Sequence, residues 1–244
     1  TVDHPYLDTC PESSIRWEIE TDRAVLEPLA GHAIRSLSYP FGAYNNLVLS
    51  TLRSLSVNSA RTTKNTWNPH YLPADPVKWH PTCHHTGALT FAQPFADQTE
   101  ERMSLLYVWG HSYELDNGYA DNSWDYMSSL CAILGDRGDV WYAGVTEVAD
   151  YVAAIRALEY PAAHVVRNPS GLAVWAKLDG MLCRIQPGKR MTWPAGTVSA
   201  VPECPQAGGG ATIRYAPGTN AFAQAAAVTL HVGRDGWQDV ADVA

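Results

Sequence analysis

Three polar stretches of this sequence carry the side chains best suited to chemistry. They are Ser38–Gly42 with the sequence SYPFG, Trp109–Glu114 with the sequence WGHSYE, and residues 75–85 with the sequence DPVKWHPTCHH. A histidine such as His111, placed directly after a run of apolar residues, is held firmly and can exchange a proton near neutral pH. A proline-glycine turn frees a backbone N–H to stabilise a negatively charged oxygen. The alternative for each stretch is an ordinary strand-ending turn with a hydrogen-bonded histidine.

The third stretch also suggests a metal site. His80, Cys83, His84 and His85 are residue types that bind zinc. On an extended segment, however, Cys83 and His85 share one face while His84 points to the other. We therefore do not expect these four residues by themselves to hold a metal. Nothing in the sequence around Cys83 indicates a lowered thiol pKa, so a cysteine nucleophile is not expected either.

The elements around these stretches are expected to bring them together. Apolar periodicity predicts, in order, a helix at 13–30, a strand at 33–39, a helix at 45–56, strands at 58–62 and 104–109, a helix at 123–135, a strand at 139–143 and a helix at 146–158. Asn122 or Ser123 is the predicted cap of the helix at 123–135, and Thr146 is the predicted cap of the last helix. This alternation predicts a mainly parallel sheet or barrel, in which ligands lie at the carboxyl ends of the strands. Residues 64–88 form a loop long enough to suggest a function.

The sequence changes character after residue 159. The segment AVWAKLDGMLCRI, residues 173–185, has the pattern of two strands joined by an Asp-Gly turn and predicts a β-hairpin. We therefore divide the chain into an α/β portion at 1–159, a hairpin extension at 160–188, and a tail at 189–244 that is rich in Ala, Gly and Pro. The structure and role of that tail stay open.

Composition limits the class of partner. The 244 residues are 46% hydrophobic and 17% charged, which is enough apolar material for a sizeable core. The net charge of −8 argues against nucleic acid or an anionic membrane as the main partner. There is no run of eighteen apolar residues, and the five scattered cysteines do not form a disulfide framework. Nine Trp and twelve Tyr provide either core volume or flat surfaces for sugar rings.

Four motifs give the sequence a family resemblance. IRSLSYPFGAYN, WHPTCHH, YVWGHSYELD and DVWYAGVTEVADYV resemble, in order, a bacterial polysaccharide deacetylase of the NodB-homology type, from residue 1 to about 188. The resemblance implies an α/β fold with a distorted (β/α) barrel, and a hydrolase that removes acetyl groups from a polysaccharide or amino-sugar polymer. It also implies one divalent metal, most simply zinc, held by an aspartate and two histidines. A second aspartate is the base in this family, and a further histidine is the acid.

The resemblance assigns roles to individual residues. His111 matches the acid histidine, and Phe41 lies in the turn whose backbone N–H helps to hold the oxyanion. The segment TVDHPYLD resembles the end of the family's metal motif, which makes His4 the second metal histidine. His4 and His111 are then expected to face one cleft. The aromatic residues Tyr39, Trp79 and Trp109 would line the sugar groove, unless they belong to the core.

Several family features are not present in these residues. No Asp-Asp pair occurs, Ser38 stands where the family has an arginine, and the family's Asp-x-x-Asp-Trp motif is only half kept at 75–79. We expect an amino-terminal truncation that removed the first strand or two, leaving the barrel incomplete and the chain unable to deacetylate at a useful rate. The second hypothesis is a non-catalytic carbohydrate-binding relative that has lost its metal site. The family is commonly exported, but no leader sequence supports that compartment here, and the oligomeric state stays open.

Overall fold

The structure is a computed structural model that describes residues 1–98, 104–116, 118–179 and 181–193, together with the backbone of two strands at 210–215 and 228–233. Its helices are α1 Glu12–Ala30, α2 Asn46–Ser54, α3 Ala88–Ala96, α4 Trp124–Leu134 and α5 Val145–Arg156. Its strands are β1 Ser36–Ser38, β2 Ser59–Arg61, β3 Cys83–His84, β4 Val108–Trp109, β5 Glu159–Ala162, β6 Val165–Arg167, β7 Val174–Leu178, β8 Met181–Ile185, β9 Arg190–Thr192, β10 Gly210–Tyr215 and β11 Val228–Gly233. This mixture of helices and strands confirms the α/β class.

The helix ends follow local chemistry. The prediction for Ser123 is confirmed, because its hydroxyl accepts a hydrogen bond from the Tyr126 N–H at the start of α4. The prediction for Thr146 is wrong. Helix α5 begins one residue earlier, and the Glu147 carboxylate accepts the N–H of Gly144 at 2.7 Å, so Gly144 is the cap. Helix α3, within the stretch ALTFAQPFA, was not predicted at all.

Two parallel strand pairs lie in the first half of the chain. Strands β1 and β2 pair with Ser38 opposite Arg61, and strands β3 and β4 pair with His84 opposite Trp109. Trp79 adds a parallel bridge to Arg61 on the other side of β2. The carboxyl ends of both pairs carry the polar stretches identified in the sequence, as parallel pairing predicts.

Two of the predicted strands need correction. Only Val108 and Trp109 of the run 104–109 are β-strand, and residues 105–109 are half-buried rather than covered on both faces. Residues 139–143 form no strand. Trp141 packs on α5 instead, where its ring meets Tyr151 edge-on at 5.7 Å. An apolar run indicates that its side chains are covered, and packing against a helix can cover them without a neighbouring strand.

The second half of the described chain is antiparallel. The predicted hairpin is confirmed as β7 and β8, and β5, β6 and β9 form a three-stranded sheet. Strand β9 therefore joins part of the predicted tail to residues 165–167. Strands β10 and β11 pair with each other. Among the strands described, the sheets have two or three members each, and they do not close into a barrel.

Three hydrophobic clusters hold these elements. One joins α1, α2, β1 and β2, and a second joins α5 to the β7–β8 hairpin. The third is small and packs α3 and α4 around Cys83, at the first residue of β3. It fixes the strand end from which His84 and His85 project. In the parts of the chain that are described, no helix is long and apolar enough to cross a membrane.

Candidate functional site

A turn follows β1 at Pro40–Gly42 and presents an aromatic side chain to solvent. Phe41 has a φ of 56° and Gly42 a φ of 72°, both in the left-handed region. That region is unfavourable for a bulky residue, and such backbone outliers are concentrated at functional sites. The Phe41 ring stacks on Tyr6 at 4.1 Å and meets the His4 ring edge-on at 5.0 Å. The structure thus brings together two residues, His4 and Phe41, that the sequence analysis placed in one site.

His4 has little else around it that could share a metal. Its side chain is exposed, and its own φ is 54°. Within the described residues, the single grouping of three ligand-type side chains does not include His4. The part of the chain that is described therefore offers fewer ligands at this place than the three or so that a catalytic metal needs.

A second cluster lies at the end of the β3–β4 pair. It consists of His84 at the end of β3, His111 two residues after β4, and Glu114 in the short 3-10 helix Ser112–Asp116. Glu114 Oε2 lies 3.1 Å from His84 Nε2 and 3.3 Å from His111 Nδ1, and it accepts the backbone N–H of His111 at 3.0 Å. One ligand atom from each side chain falls within 4.8 Å of the others. This is the grouping of metal-ligand types that the described residues form.

A second layer of contacts fixes the rings of this cluster. His84 Nδ1 lies 3.1 Å from the Thr86 hydroxyl. The ring of His85 is buried, with Nε2 only 2.6 Å from Asn122 Oδ1 and Nδ1 3.7 Å from Glu114 Oε2. The imidazoles of His84 and His85 therefore each have one nitrogen anchored and the other turned toward the Glu114 carboxylate.

Gly110 allows these rings to pack closely. A Cβ atom added at position 110 would lie 1.9 Å from His85 Nδ1 and 2.9 Å from His85 Cε1. Only a residue without a side chain lets the backbone after β4 approach the buried imidazole in this way. The glycine in the motif WGHSYE thus has a definite packing role beside the cluster.

The protonation states follow from burial and from these contacts. Burial lowers the pKa of His84, and the neighbouring His85 lowers it further. Glu114 acts in the opposite direction but does not outweigh them, so the His84 imidazole is favoured in its neutral form. Burial alone would raise the pKa of Glu114. The hydrogen bonds from the His111 backbone and imidazole outweigh that effect, so its pKa lies below the usual value and the carboxylate is charged at neutral pH. Burial raises the pKa of the Cys83 thiol to about 11, which leaves it an unreactive core residue.

Trp109 and Arg61 connect the cluster to the Phe41 turn. The Trp109 ring meets the rings of His84 and His111 edge-on at 4.8 and 5.9 Å, and its Nε1–H donates to Asn65 Oδ1 at 2.7 Å. The Arg61 guanidinium lies over the same ring, 4.8 Å from its centroid. Arg61 Nε also donates to Ser38 Oγ at 3.2 Å. A guanidinium therefore reaches the position where the resemblance expected an arginine, but it comes from the neighbouring strand.

The other two aromatic residues assigned to the sugar groove lie in the core. Tyr39 is 2% exposed, and its hydroxyl donates to the Val77 carbonyl at 2.6 Å. Trp79 is 1% exposed and packs edge-on against Tyr107 at 5.8 Å. The groove assignment is wrong for both residues in this structure, because neither ring has a face open to a ligand. The core alternative describes them.

The exposed rings at the site are not those predicted to line the sugar groove. Phe41, selected only for its backbone, is 55% exposed, and the unpredicted Tyr6 and Tyr113 are 54% and 67% exposed. The Tyr113 ring stacks on His111 at 5.1 Å. Glu114 was missed as well, although its position three residues after His111 in a turn could have suggested a partner. Flat exposed rings of this kind suit stacking against sugars.

Comparison with known proteins identifies the amino-terminal segment. Residues 1–60 match the family model described as Polysaccharide deacetylase. This segment is similar to the polysaccharide deacetylases. The match confirms the family resemblance noted in the sequence, and it covers His4 and the Phe41 turn. The deacetylase match ends before His84, His111 and Glu114, whose roles therefore depend on their own geometry and motifs. No curated protein and no solved structure matches the chain.

Proposed function

We propose that this protein is a metal-dependent hydrolase that removes acetyl groups from a polysaccharide or an amino-sugar polymer. One observation carries the proposal. His4 and Phe41, two separate parts of the deacetylase segment, are in ring contact at 5.0 Å beside the carboxyl end of β1. The family assigns metal binding to the first position and oxyanion binding to the second. Their contact brings those two tasks within the reach of one acetyl group.

The metal would be of the zinc class, with His4 as one ligand. A metal of this kind polarises a carbonyl and lowers the pKa of a bound water when it is present. The described residues around His4 do not complete a set of three ligands. We therefore propose that the metal and base aspartates come from outside residues 1–244, which contain no Asp-Asp pair. The distorted (β/α) barrel is part of the same proposal.

The residues of this chain would handle the oxyanion and the leaving group. The backbone N–H in the Phe41 turn would donate to the oxygen of the tetrahedral intermediate. His111 would give a proton to the departing amine or alkoxide. With His111 Nδ1–H donated to Glu114 Oε2 at 3.3 Å, Nε2 is the nitrogen left for that exchange.

We further propose that His4 and His111 face one cleft. The support is a chain of contacts between the two sites. Ser38 at the end of β1 accepts from Arg61, Arg61 lies over Trp109, and the Trp109 ring meets His111. Trp109 remains the proposed sugar contact from the original set. The Arg61 guanidinium lies over the Trp109 ring and leaves less of it open to a sugar. We therefore propose that the exposed rings of Phe41 and Tyr113 supply most of the stacking surface.

A non-catalytic carbohydrate-binding protein is the second candidate. The exposed rings favour it, and so does the incomplete ligand set at His4. Acetate release from N- and O-acetylated sugar oligomers with added zinc separates the two, if it is measured on this chain extended upstream. His111→Ala should lower turnover by roughly 10²–10⁴, while His32→Ala, which removes an exposed histidine elsewhere, should have no effect. Sugar binding without acetate release from any form would favour the binding protein.

A further inference from the structure

We propose that His84, His111 and Glu114 form a binding site for a divalent cation of the zinc class, separate from His4. Their ligand atoms lie within 4.8 Å of one another, with 3.1 Å from His84 Nε2 to Glu114 Oε2 and 3.3 Å from His111 Nδ1 to the same oxygen. Tetrahedral zinc with bonds of about 2.0–2.1 Å sets its ligand atoms about 3.3 Å apart. The two distances to Glu114 already match this spacing, and no pair of ligand atoms is farther apart than 4.8 Å.

The environment of Glu114 Oε2 points to the same conclusion. Nitrogen atoms approach this single oxygen at 3.0 Å from the His111 backbone, 3.1 Å from His84, 3.3 Å from the His111 ring and 3.7 Å from His85. A carboxylate oxygen has two lone pairs, so it cannot accept a good hydrogen bond from all of them. A carboxylate oxygen is an acceptor and cannot bind a nitrogen lone pair, whereas a cation held among the imidazoles can.

The outer contacts are those of histidines oriented to bind a metal. Metal-binding histidines usually anchor their other ring nitrogen on a nearby polar group, which fixes the tautomer and the ring angle. His84 Nδ1 lies 3.1 Å from the Thr86 hydroxyl, and His85 Nε2 lies 2.6 Å from Asn122 Oδ1. His85 is 4% exposed and directs Nδ1 at the cluster, which makes it a candidate fourth ligand.

Donor chemistry selects the class of ion. Two or three imidazole nitrogens and one carboxylate suit zinc and its neighbours among the transition metals. Magnesium and calcium prefer oxygen ligands throughout, and only Glu114 supplies one from this grouping. The site joins residues from two parallel strand ends, which is why the spacing within residues 80–85 alone did not reveal it.

The site has a consequence for the proposed deacetylation, and this consequence alone rests on the proposed function. A cation bound to His111 Nδ1 would take that histidine out of proton transfer. Zinc in excess of the catalytic ion should then inhibit acetate release. The binding of the cation does not depend on any activity and is measured separately.

The direct test is a titration of the metal-free chain with Co²⁺, followed by its visible absorption, and with Zn²⁺, followed by calorimetry. We expect one cobalt ion with the bands of a four- or five-coordinate site. His84→Ala and Glu114→Gln should each weaken binding by at least about tenfold. His32→Ala, which removes an exposed histidine outside the cluster, should bind as the parent chain does.

Circular dichroism and thermal unfolding establish that each variant is folded, and Glu114→Gln keeps the shape of the side chain if His84→Ala does not fold. The proposal is overturned if Glu114→Gln binds cobalt like the parent, if the parent binds none, or if His4→Ala alone removes binding. Zinc inhibition that persists in Glu114→Gln would remove the link to proton transfer. Intact cobalt binding with no deacetylation would refute the proposed function and leave this site standing.

Discussion

Replacement of Gly110 by alanine should destabilise the protein through the buried ring of His85. The new Cβ would lie 1.9 Å from His85 Nδ1, short of ordinary van der Waals contact at 3.4 Å by about 1.5 Å. The ring cannot yield without stretching its 2.6 Å hydrogen bond to Asn122. Overpacking costs about 1–3 kcal/mol and an unpaired buried polar group a similar amount. Alanine also makes the unfolded chain stiffer, which gives a small stabilisation. The net effect that we expect is a loss of about 2–4 kcal/mol in the free energy of unfolding.

Urea unfolding followed by tryptophan fluorescence measures this loss. Gly171→Ala is the matched control, because a Cβ at 171 meets no atom within 4 Å and its φ is not in the left-handed region. The free energy of unfolding of that variant should not fall and could rise by up to about 1 kcal/mol. In a His85→Ala background the penalty of Gly110→Ala should fall to the control value. A Gly110→Ala loss within about 0.5 kcal/mol of the control, or an equal loss in both backgrounds, would refute this packing argument.

Two further predictions concern stability. Tyr39→Phe should cost about 1–2 kcal/mol, because it leaves the buried Val77 carbonyl without its donor, whereas Tyr113→Phe at an exposed ring should cost almost nothing; equal urea midpoints would contradict this. The hydrogen bond from Arg35 lowers the pKa of Asp150 in the folded protein despite burial. At pH values above the pKa of the unfolded chain, this partly exposed ion pair should stabilise the folded protein by up to about 1 kcal/mol. That contribution should be lost as the pH falls through the lower pKa of the folded state. The stability difference between the parent and Asp150→Asn should therefore shrink on acidification, and a difference that grows below pH 4 would have the wrong sign.

The helices were the most predictable part of the fold. Amphipathic periodicity over long segments identified α1, α2, α4 and α5, and side-chain capping identified the start of α4. The strands were harder, because an apolar run indicates burial without naming the partner. Residues 139–143 form no strand and are only partly buried, with Trp141 packed on α5, and β3 is only two residues long. Helix α3 contains Pro94 and lies, except for Ala88, after the predicted loop at 64–88, where no element was predicted.

The site was partly predictable from motifs. His4 and Phe41, which the sequence placed in one site because both belong to one family segment, are in ring contact. Tyr39 was assigned to the groove because residue type does not reveal which side of a strand end is buried. The partnership of His84 with Glu114 depends on the pairing of β3 with β4, which no local spacing encodes. Contacts between distant strand ends become visible only when the register is known.

Acetate release from acetylated chito-oligosaccharides with added zinc or cobalt tests the central claim most directly. The comparison is between this chain and the same chain extended upstream to include an Asp-Asp motif. We expect acetate release by the extended form, and a rate for this chain lower by at least roughly 10²–10⁴, the contribution of the missing base alone. No acetate from the extended form, or equal rates for the two forms, would contradict it.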